Sequence, residues 1–361
     1  MYKVSIIIPV YNVQKHIGRC LESIFAQECS NAEIECILVD DCTPDDSMTI
    51  VDRMLRNYVG MIDFEIIKHD VNKGLSASRN TGVNHAKGDY VFFLDSDDKL
   101  ESGAISHLVV ALNIEIAKNN DVDVVLGNSY LCKAGKPSMA FMTDEAFFLD
   151  NSEEIALRKF LNRELFHTAW NKLVKRDLFL YYDIYFENGI IDEDLLWTYL
   201  VFYHAKGVVV VPQITYIYED NPGSIMNTTS ERIAQRIYSR IVICNKLLSC
   251  PPQASLIEYF MYIFYIFTRA INLYELNNSN KSVYKYGEDL LIIRDKLLRD
   301  TLHRHLYLLY AFFLTTKKPL SILNKNRWFR RYFDNFCLSI IGFFLLIILL
   351  RIIRKLFAPP Q

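Results

Sequence analysis

Residues 91–103 read VFFLDSDDKLESG: an unbroken apolar run, Val91-Phe92-Phe93-Leu94, gives way to three carboxylates in four positions, Asp95, Asp97 and Asp98. With Tyr90 before it, the run suits a strand buried on both faces, as in a parallel sheet covered by helices. Carboxylates gathered at the end of such a strand repel one another unless a cation sits among them or water dilutes the charge. On this stretch alone a plainer reading also stands, because Asp97 or Asp98 can cap a helix beginning near Leu100.

The same pattern repeats on the N-terminal side. KVSIIIPVYN (3–12) is a β-branched run stopped by Pro9, and HIGRCLESIFAQ (16–27) sets Ile17, Cys20, Leu21, Ile24 and Phe25 at helical spacing. EIECILVDDCTPDDS (33–47) is a strand ending in Asp40 and Asp41, followed by a proline-containing turn and a helix through 48–59. DFEIIKHD (63–70) reads as a third short strand and GLSASRNTGVNHA (74–86) as a small-residue helix leading into Tyr90. Strands alternating with helices at this spacing predict βαβ units and a mostly parallel sheet over about the first hundred residues. In such sheets ligands bind beyond the carboxyl ends of the strands. Those ends carry Pro9-Val10-Tyr11-Asn12, Asp40-Asp41, His69-Asp70 and Asp95-Ser96-Asp97-Asp98.

Further on, a helix is expected to about residue 119, then a strand in VDVVLGNSYL (122–131) and a helix-like stretch in NSEEIALRKFLNRELF (151–166). FENGIIDEDLLWTYLVFYHA (186–205) places Glu187, Asp192, Glu193 and Asp194 just before a strongly apolar helix. GVVVVPQITYIYE (207–219) reads as a strand pair broken at Pro212, and from Ser230 the pattern is long and helical. The boundaries expected are an α/β domain over 1–228, a helical region over 229–330 and a hydrophobic, basic tail over 331–361.

Composition excludes several function classes. Forty basic against 42 acidic residues leave a net charge of −2, with no basic field to attract nucleic acid. The eight cysteines are scattered without a C-x-x-C pair, as expected of reduced thiols in the cytosol. The apolar stretch before Pro9 is too short for a signal peptide. No G-x-G-x-x-G follows the first strand and no Walker A motif occurs, which counts against a dinucleotide enzyme and an ATPase.

Asp95 and Asp97 lie two apart, so on a turn both reach one hard cation, Mg²⁺ or Mn²⁺, whose remaining ligands are water and substrate phosphate oxygens. A nucleoside diphosphate fits that need. Asp40 or Asp41 can accept from a base N–H or a ribose hydroxyl, and Tyr11 offers a ring face for stacking.

Five ordered blocks, 4–27, 36–47, 72–98, 169–179 and 186–197, resemble the family 2 glycosyltransferases, inverting enzymes of GT-A fold. The resemblance covers roughly Val4 to Met226. It implies that Pro9, Tyr11 and Asp40 or Asp41 hold uracil and ribose, with Ser96 on the nucleotide side. It implies that Asp95 and Asp97 are the Asp-x-Asp pair on the metal, and that Lys73 and Arg79 approach the diphosphate or pyrimidine. Asp194 resembles the general base that deprotonates an acceptor hydroxyl, while Trp170, Asn171, Lys172 and Glu193 look like acceptor-side residues. One departure stands out: where the family usually reads Asp-Asp-Gly-Ser, this chain reads Asp40-Asp41-Cys42-Thr43. The implied partners are a UDP-sugar donor and a saccharide or lipid-linked acceptor. The alternatives are a binding protein without activity and a nucleotidyltransferase, the latter opposed by the lack of a Gly-rich N-terminal loop.

FCLSIIGFFLLIILL (336–350) carries no charge and is flanked by Arg330 and Arg331 on one side and Arg351, Arg354 and Lys355 on the other. As helix it reaches only about 22 Å against about 30 Å of hydrocarbon. It is therefore expected to anchor the enzyme at the cytoplasmic membrane face, either spanning thinly or lying in the interface. The alternative is an oligomer contact. The shorter runs YFMYIFYIF (259–267) and LYLLYAFFL, ending at Leu314, suit helices packed on the enzyme or lying in the interface.

Overall fold

The computed structural model describes residues 1–27, 30–133, 136–140, 143–219, 230–277 and 279–303. The expected alternation is present from the start: β1 (Tyr2–Val10), α1 (Ile17–Phe25), β2 (Ala32–Asp40), α2 (Ser47–Arg56), β3 (Asp63–Lys68), α3 (Leu75–His85) and β4 (Tyr90–Phe93). The four strands lie in the order β3-β2-β1-β4, every neighbouring pair parallel. Side chains of β1 alternate between two covered faces, the reason its apolar run is continuous. Ile6, Ile8 and Val10 pack with Ile17, Leu21 and Ile24 of α1, whereas Ile7 joins Val83 of α3 on the other face.

The second half adds β5 (Lys99–Leu100), α4 (Ala104–Ala117), β6 (Val124–Lys133), β7 (Lys136–Ala140), β8 (Phe147–Asp150), α5 (Ile155–Leu161), β9 (Lys172–Lys175), α6 (Arg176–Tyr182), α7 (Asp194–His204) and β10 (Gly207–Glu219). β9 enters antiparallel between β4 and β6, and β10 runs parallel to β6. β5 and β8 pair antiparallel with β10, and β7 with β6. The α/β class is as expected, with a mixed sheet whose β3-β2-β1-β4 half is purely parallel. Residues 207–219 form one strand rather than a pair. Register shifts between Val210 and Ile214 and between Ile214 and Tyr216 accommodate Pro212, which has no N–H to give a ladder.

The helical C-terminal region comprises α8 (Ser230–Leu248), α9 (Leu256–Asn277), α10 (Lys281–Tyr284) and α11 (Gly287–His303). By length and composition α9 could cross a membrane. Its Tyr259, Phe260, Ile263, Phe264 and Phe267 are instead buried in one cluster with Phe160, Trp197 and Val208, each such side chain contributing about 1.5–3 kcal/mol. The run 259–267 is thus packed on the α/β layer. α8 is tied to the loop before α7 by Arg240 to Asp192 at 3.2 Å, by Lys246 to Glu187 at 2.9 Å and by Ser239 Oγ, which accepts from the Ile191 N–H at 2.8 Å. The expected anchor at 336–350 and the run ending at Leu314 lie outside the described residues.

Candidate active site

Because β1 to β4 are parallel, their carboxyl ends deliver side chains to one edge of the sheet. Pro9 pairs with Val39 and Val10 with Asp40, the His69 N–H donates to the Asp40 carbonyl at 2.9 Å, and the Leu94 N–H donates to the Ile7 carbonyl at 3.0 Å. Pro9, Tyr11, Asp40, Asp41 and Asp95 therefore share that edge. Tyr11 is 45% exposed, so its ring does not close the core. The β1 and β2 loops are stitched together where the Asn12 N–H donates to Thr43 Oγ1, whose O–H donates to Asp45. Cys42 has φ 56°, the left-handed geometry that glycine adopts freely. A glycine, which the resemblance leads one to expect here, would take that geometry without strain, and this chain meets it with a side chain in place.

Asp40 and Asp41 are in different situations. Asp41 uses both oxygens internally: Oδ1 meets the His69 ring at 2.7 Å and accepts from the Lys73 N–H at 2.8 Å, and Oδ2 accepts from the Gly74 N–H at 2.8 Å. The far side of the His69 ring contacts Thr81 Oγ1 at 2.9 Å, so Asp41 and His69 fix the loop that begins α3. Gly74, at φ 88°, is the one residue type that takes that turn without strain. Asp40 accepts from the Thr43 N–H through Oδ1 alone, and its Oδ2 has no partner among the described residues.

One turn into α3, Arg79 is 3% exposed and its two terminal nitrogens are both engaged. Nη1 donates to Glu193 Oε1 at 2.7 Å and Nη2 to Asp95 Oδ1 at 2.8 Å. Its guanidinium lies 5.1 Å from the Phe186 ring centroid, and Phe186 stacks on Trp197 of α7 at 4.7 Å. The next residue, Asn80, bonds both the N–H and the carbonyl of Phe186. Arg79 therefore stands behind the acids as their counter-charge, with its Nη groups taken, while Lys73 is exposed beside the same edge.

Glu193 and Asp194 begin α7. Burial raises the proton affinity of both above the ordinary carboxyl range, and the Arg79 guanidinium, bonded to Glu193 and not to Asp194, opposes the rise. The Asp194 carboxylate has no hydrogen bond or ion pair with any described residue. Nearby Lys172 is 1% exposed, donates to the Thr168 carbonyl, and is lowered by burial to about 7, with Asp194 opposing the fall. An unpartnered half-buried carboxyl with raised proton affinity is suited to taking a proton near neutral pH.

The other residues singled out from the sequence are more enclosed. Trp170 is 8% exposed and stacks on Tyr216 at 4.3 Å. Asn171 Nδ2 donates to the carbonyls of Gly127 and Asn128, and its Oδ1 accepts from Thr215, so its side chain is used within the fold. Ser96 is buried and Asp97 partly so. Sequence reasoning gave no role to His69 or Tyr216, and to Asp98 only that of a cap for a helix near Leu100; Lys99–Leu100 is instead β5, and α4 begins at Ala104 after Gly103. Asp98 is 1% exposed, with Oδ2 accepting from Tyr216 O–H at 2.7 Å and Oδ1 from the Glu219 N–H at 2.8 Å. Nothing local signals such a contact across 118 residues; a third acid after an Asp-x-Asp was the only hint.

No group of three or more His, Cys, Asp or Glu residues converges as a metal cage among the described residues. Asp95 and Asp97 offer hard oxygens on one turn, and Asp95 is 25% exposed with Oδ2 unpartnered among the described residues. Such a donor set fits a cation whose other ligands are phosphate oxygens and water, the usual arrangement for Mg²⁺.

Comparison with known proteins identifies the family of the chain. Residues 5–181 match the family described as Glycosyl transferase family 2. Glycosyltransferase GlyG of Streptococcus pneumoniae is 31% identical over 237 residues, 62% of this chain and 73% of that protein. The poly(ribitol-phosphate) beta-glucosyltransferase of Bacillus spizizenii is 30% identical over 219 residues, 60% of this chain and 32% of that longer protein. Among solved structures, S. aureus TarS 1-349 in complex with UDP-GlcNAc superposes with a TM-score of 0.62 at 21% identity, covering 82% of this chain and 81% of that one, a likeness of fold. The match over residues 5–181 and these relatives lead to one conclusion: the chain belongs to glycosyl transferase family 2.

Proposed function

We propose that this glycosyltransferase moves a sugar from a UDP-sugar to a hydroxyl of a saccharide or lipid-linked saccharide, with inversion and with a divalent cation at Asp95 and Asp97. The observation that carries the proposal is Asp194: a half-buried carboxyl without a partner, raised in proton affinity by burial, held beside the Asp95 end of the sheet through Glu193 and Arg79. Tyr11 stacks on uracil, and Asp40, the acid with an open oxygen, accepts from the base or ribose. Asp41 acts indirectly by fixing the Lys73-Gly74 loop, and Lys73 faces the diphosphate. When bound, Mg²⁺ or Mn²⁺ supplies positive charge opposite the departing diphosphate.

In the reaction the acceptor oxygen forms a bond to the anomeric carbon as the bond to the UDP oxygen breaks on the opposite face. The UDP oxygen leaves with the electron pair, and the hydroxyl proton passes to Asp194. One displacement inverts the anomeric centre. Glu193 and the Trp170 block border the acceptor side. A hydroxyl-bearing cell-surface polymer is a suitable acceptor class, given the poly(ribitol-phosphate) transferase relative. The uncharged run 336–350, with basic residues on both sides, supports presentation of that acceptor at the cytoplasmic membrane face. Screening nucleotide sugars for release of free UDP in the presence of Mn²⁺ tests the reading. A binding protein releases nothing, and a nucleotidyltransferase yields pyrophosphate from a triphosphate instead.

A further inference from the structure

Tyr216 of β10 is completely buried, and its ring lies flat against Trp170 at 4.3 Å with 12° between the planes. Its hydroxyl meets both ends of the acidic turn. It donates to Asp98 Oδ2 at 2.7 Å and accepts from the Asp95 N–H at 3.2 Å. The turn closes on itself where the Asp98 N–H donates to the Asp95 carbonyl at 3.0 Å. On the neighbouring residue, Thr215 Oγ1 donates to Asn171 Oδ1, and Asn171 is in turn bonded to the carbonyls of Gly127 and Asn128. The segment 170–171 thus grips β10 at two successive positions, and β10 grips the turn that presents Asp95 and Asp97.

We infer that Tyr216, backed by Trp170, is a positioning residue that sets the Asp95-x-Asp97 turn for its cation and diphosphate; the inference rests on the metal reading proposed above. Three carboxyl groups sit within four residues, and mutual repulsion of their charged forms would spread them. Asp98 is drawn inward by the Tyr216 hydroxyl and the Glu219 N–H, which leaves Asp95 and Asp97 as the two acids on the outer side. A hydroxyl that is donor to one end of a turn and acceptor from the other fixes the turn's opening in a way that packing cannot. Cation sites with few protein ligands depend on such supporting bonds for ligand orientation.

Tyr216→Phe keeps the ring and its stack on Trp170 and removes only the oxygen. Titration calorimetry with UDP is expected to show affinity weakened about tenfold in Mn²⁺, by loss of the bonds that orient the turn, and unchanged in EDTA. Trp170→Phe, which thins the backing without touching those bonds, is expected to weaken Mn²⁺-dependent binding in the same direction by about threefold; it also serves if Tyr216→Phe does not fold. A lower melting temperature with unchanged Mn²⁺-dependent affinity in the folded variants would reduce Tyr216 to packing and overturn the inference. Asp97→Asn run alongside separates the two readings. If it abolishes the Mn²⁺ dependence while Tyr216→Phe and Trp170→Phe do not alter it, the inference alone fails; if Asp97→Asn also changes nothing, both fail.

Discussion

Arg79 and Glu193, 114 positions apart in the chain, meet at 2.7 Å, and the same guanidinium holds Asp95 at 2.8 Å. One buried cation therefore fixes the spacing between the acid at the end of β4 and the acids at the start of α7. Its aromatic floor, Phe93 and Phe186, packs against Trp197 of α7, so the ionic and apolar contacts join the same elements.

Removing that cation leaves two acids without their counter-charge. Arg79→Met is expected to destabilise the fold by about 3 kcal/mol, read by urea denaturation at pH 7. Arg79→Lys keeps the charge but cannot fork between two carboxylates, so it should recover only part of the loss.

With Asp194 as the proposed base, its raised proton affinity predicts the pH dependence of transfer. The base works as a carboxylate, so turnover is lost as pH falls through its raised value, and the acid limb should lie well above the ordinary carboxyl value of about 4. A kcat profile in buffers of constant ionic strength reads this directly; a limb near that ordinary value would place the working base elsewhere.

The same feature affects stability with the opposite sense. A carboxyl whose folded value is raised favours folding while protonated, and that contribution is lost as pH rises through the folded value. Asp194→Asn is therefore expected to raise stability by about 1 kcal/mol at pH 8 and to leave it unchanged at pH 4. Melting curves at the two values check the sign.

Cys42 occupies a left-handed backbone position at the turn after β2, on the carboxyl edge of the sheet. Cys42→Gly should relieve that strain and stabilise the protein by up to about 1 kcal/mol, the reverse of the usual cost of glycine inside a regular element. Thermal melting compares the two, with UDP affinity expected to stay as in wild type.

The parallel half of the sheet was legible because its signal is local. Each strand is a short apolar run ending in a turn residue, and each helix repeats apolar positions at its own period. The acidic ends were legible for the same reason, since a parallel sheet must bring them to one edge. What was not legible depends on partners far apart in sequence. KLVK at 172–175 carries no mark of the antiparallel place it takes between β4 and β6. Pro212 reads as a break, yet neighbouring strands hold β10 continuous through its shifted register. The division of labour between Asp40 and Asp41 follows from His69, 28 positions downstream of Asp41. The place of Arg79 between two acids follows from Glu193, 114 positions downstream.

The most direct test of the account compares wild type and Asp194→Asn on the donor identified by UDP release. Calorimetry with UDP and Mn²⁺ should give the two proteins the same affinity, while sugar transfer by the variant falls by orders of magnitude, because an amide cannot take the acceptor's proton. Transfer by the variant at near the wild-type rate would contradict the assignment of Asp194 as the base.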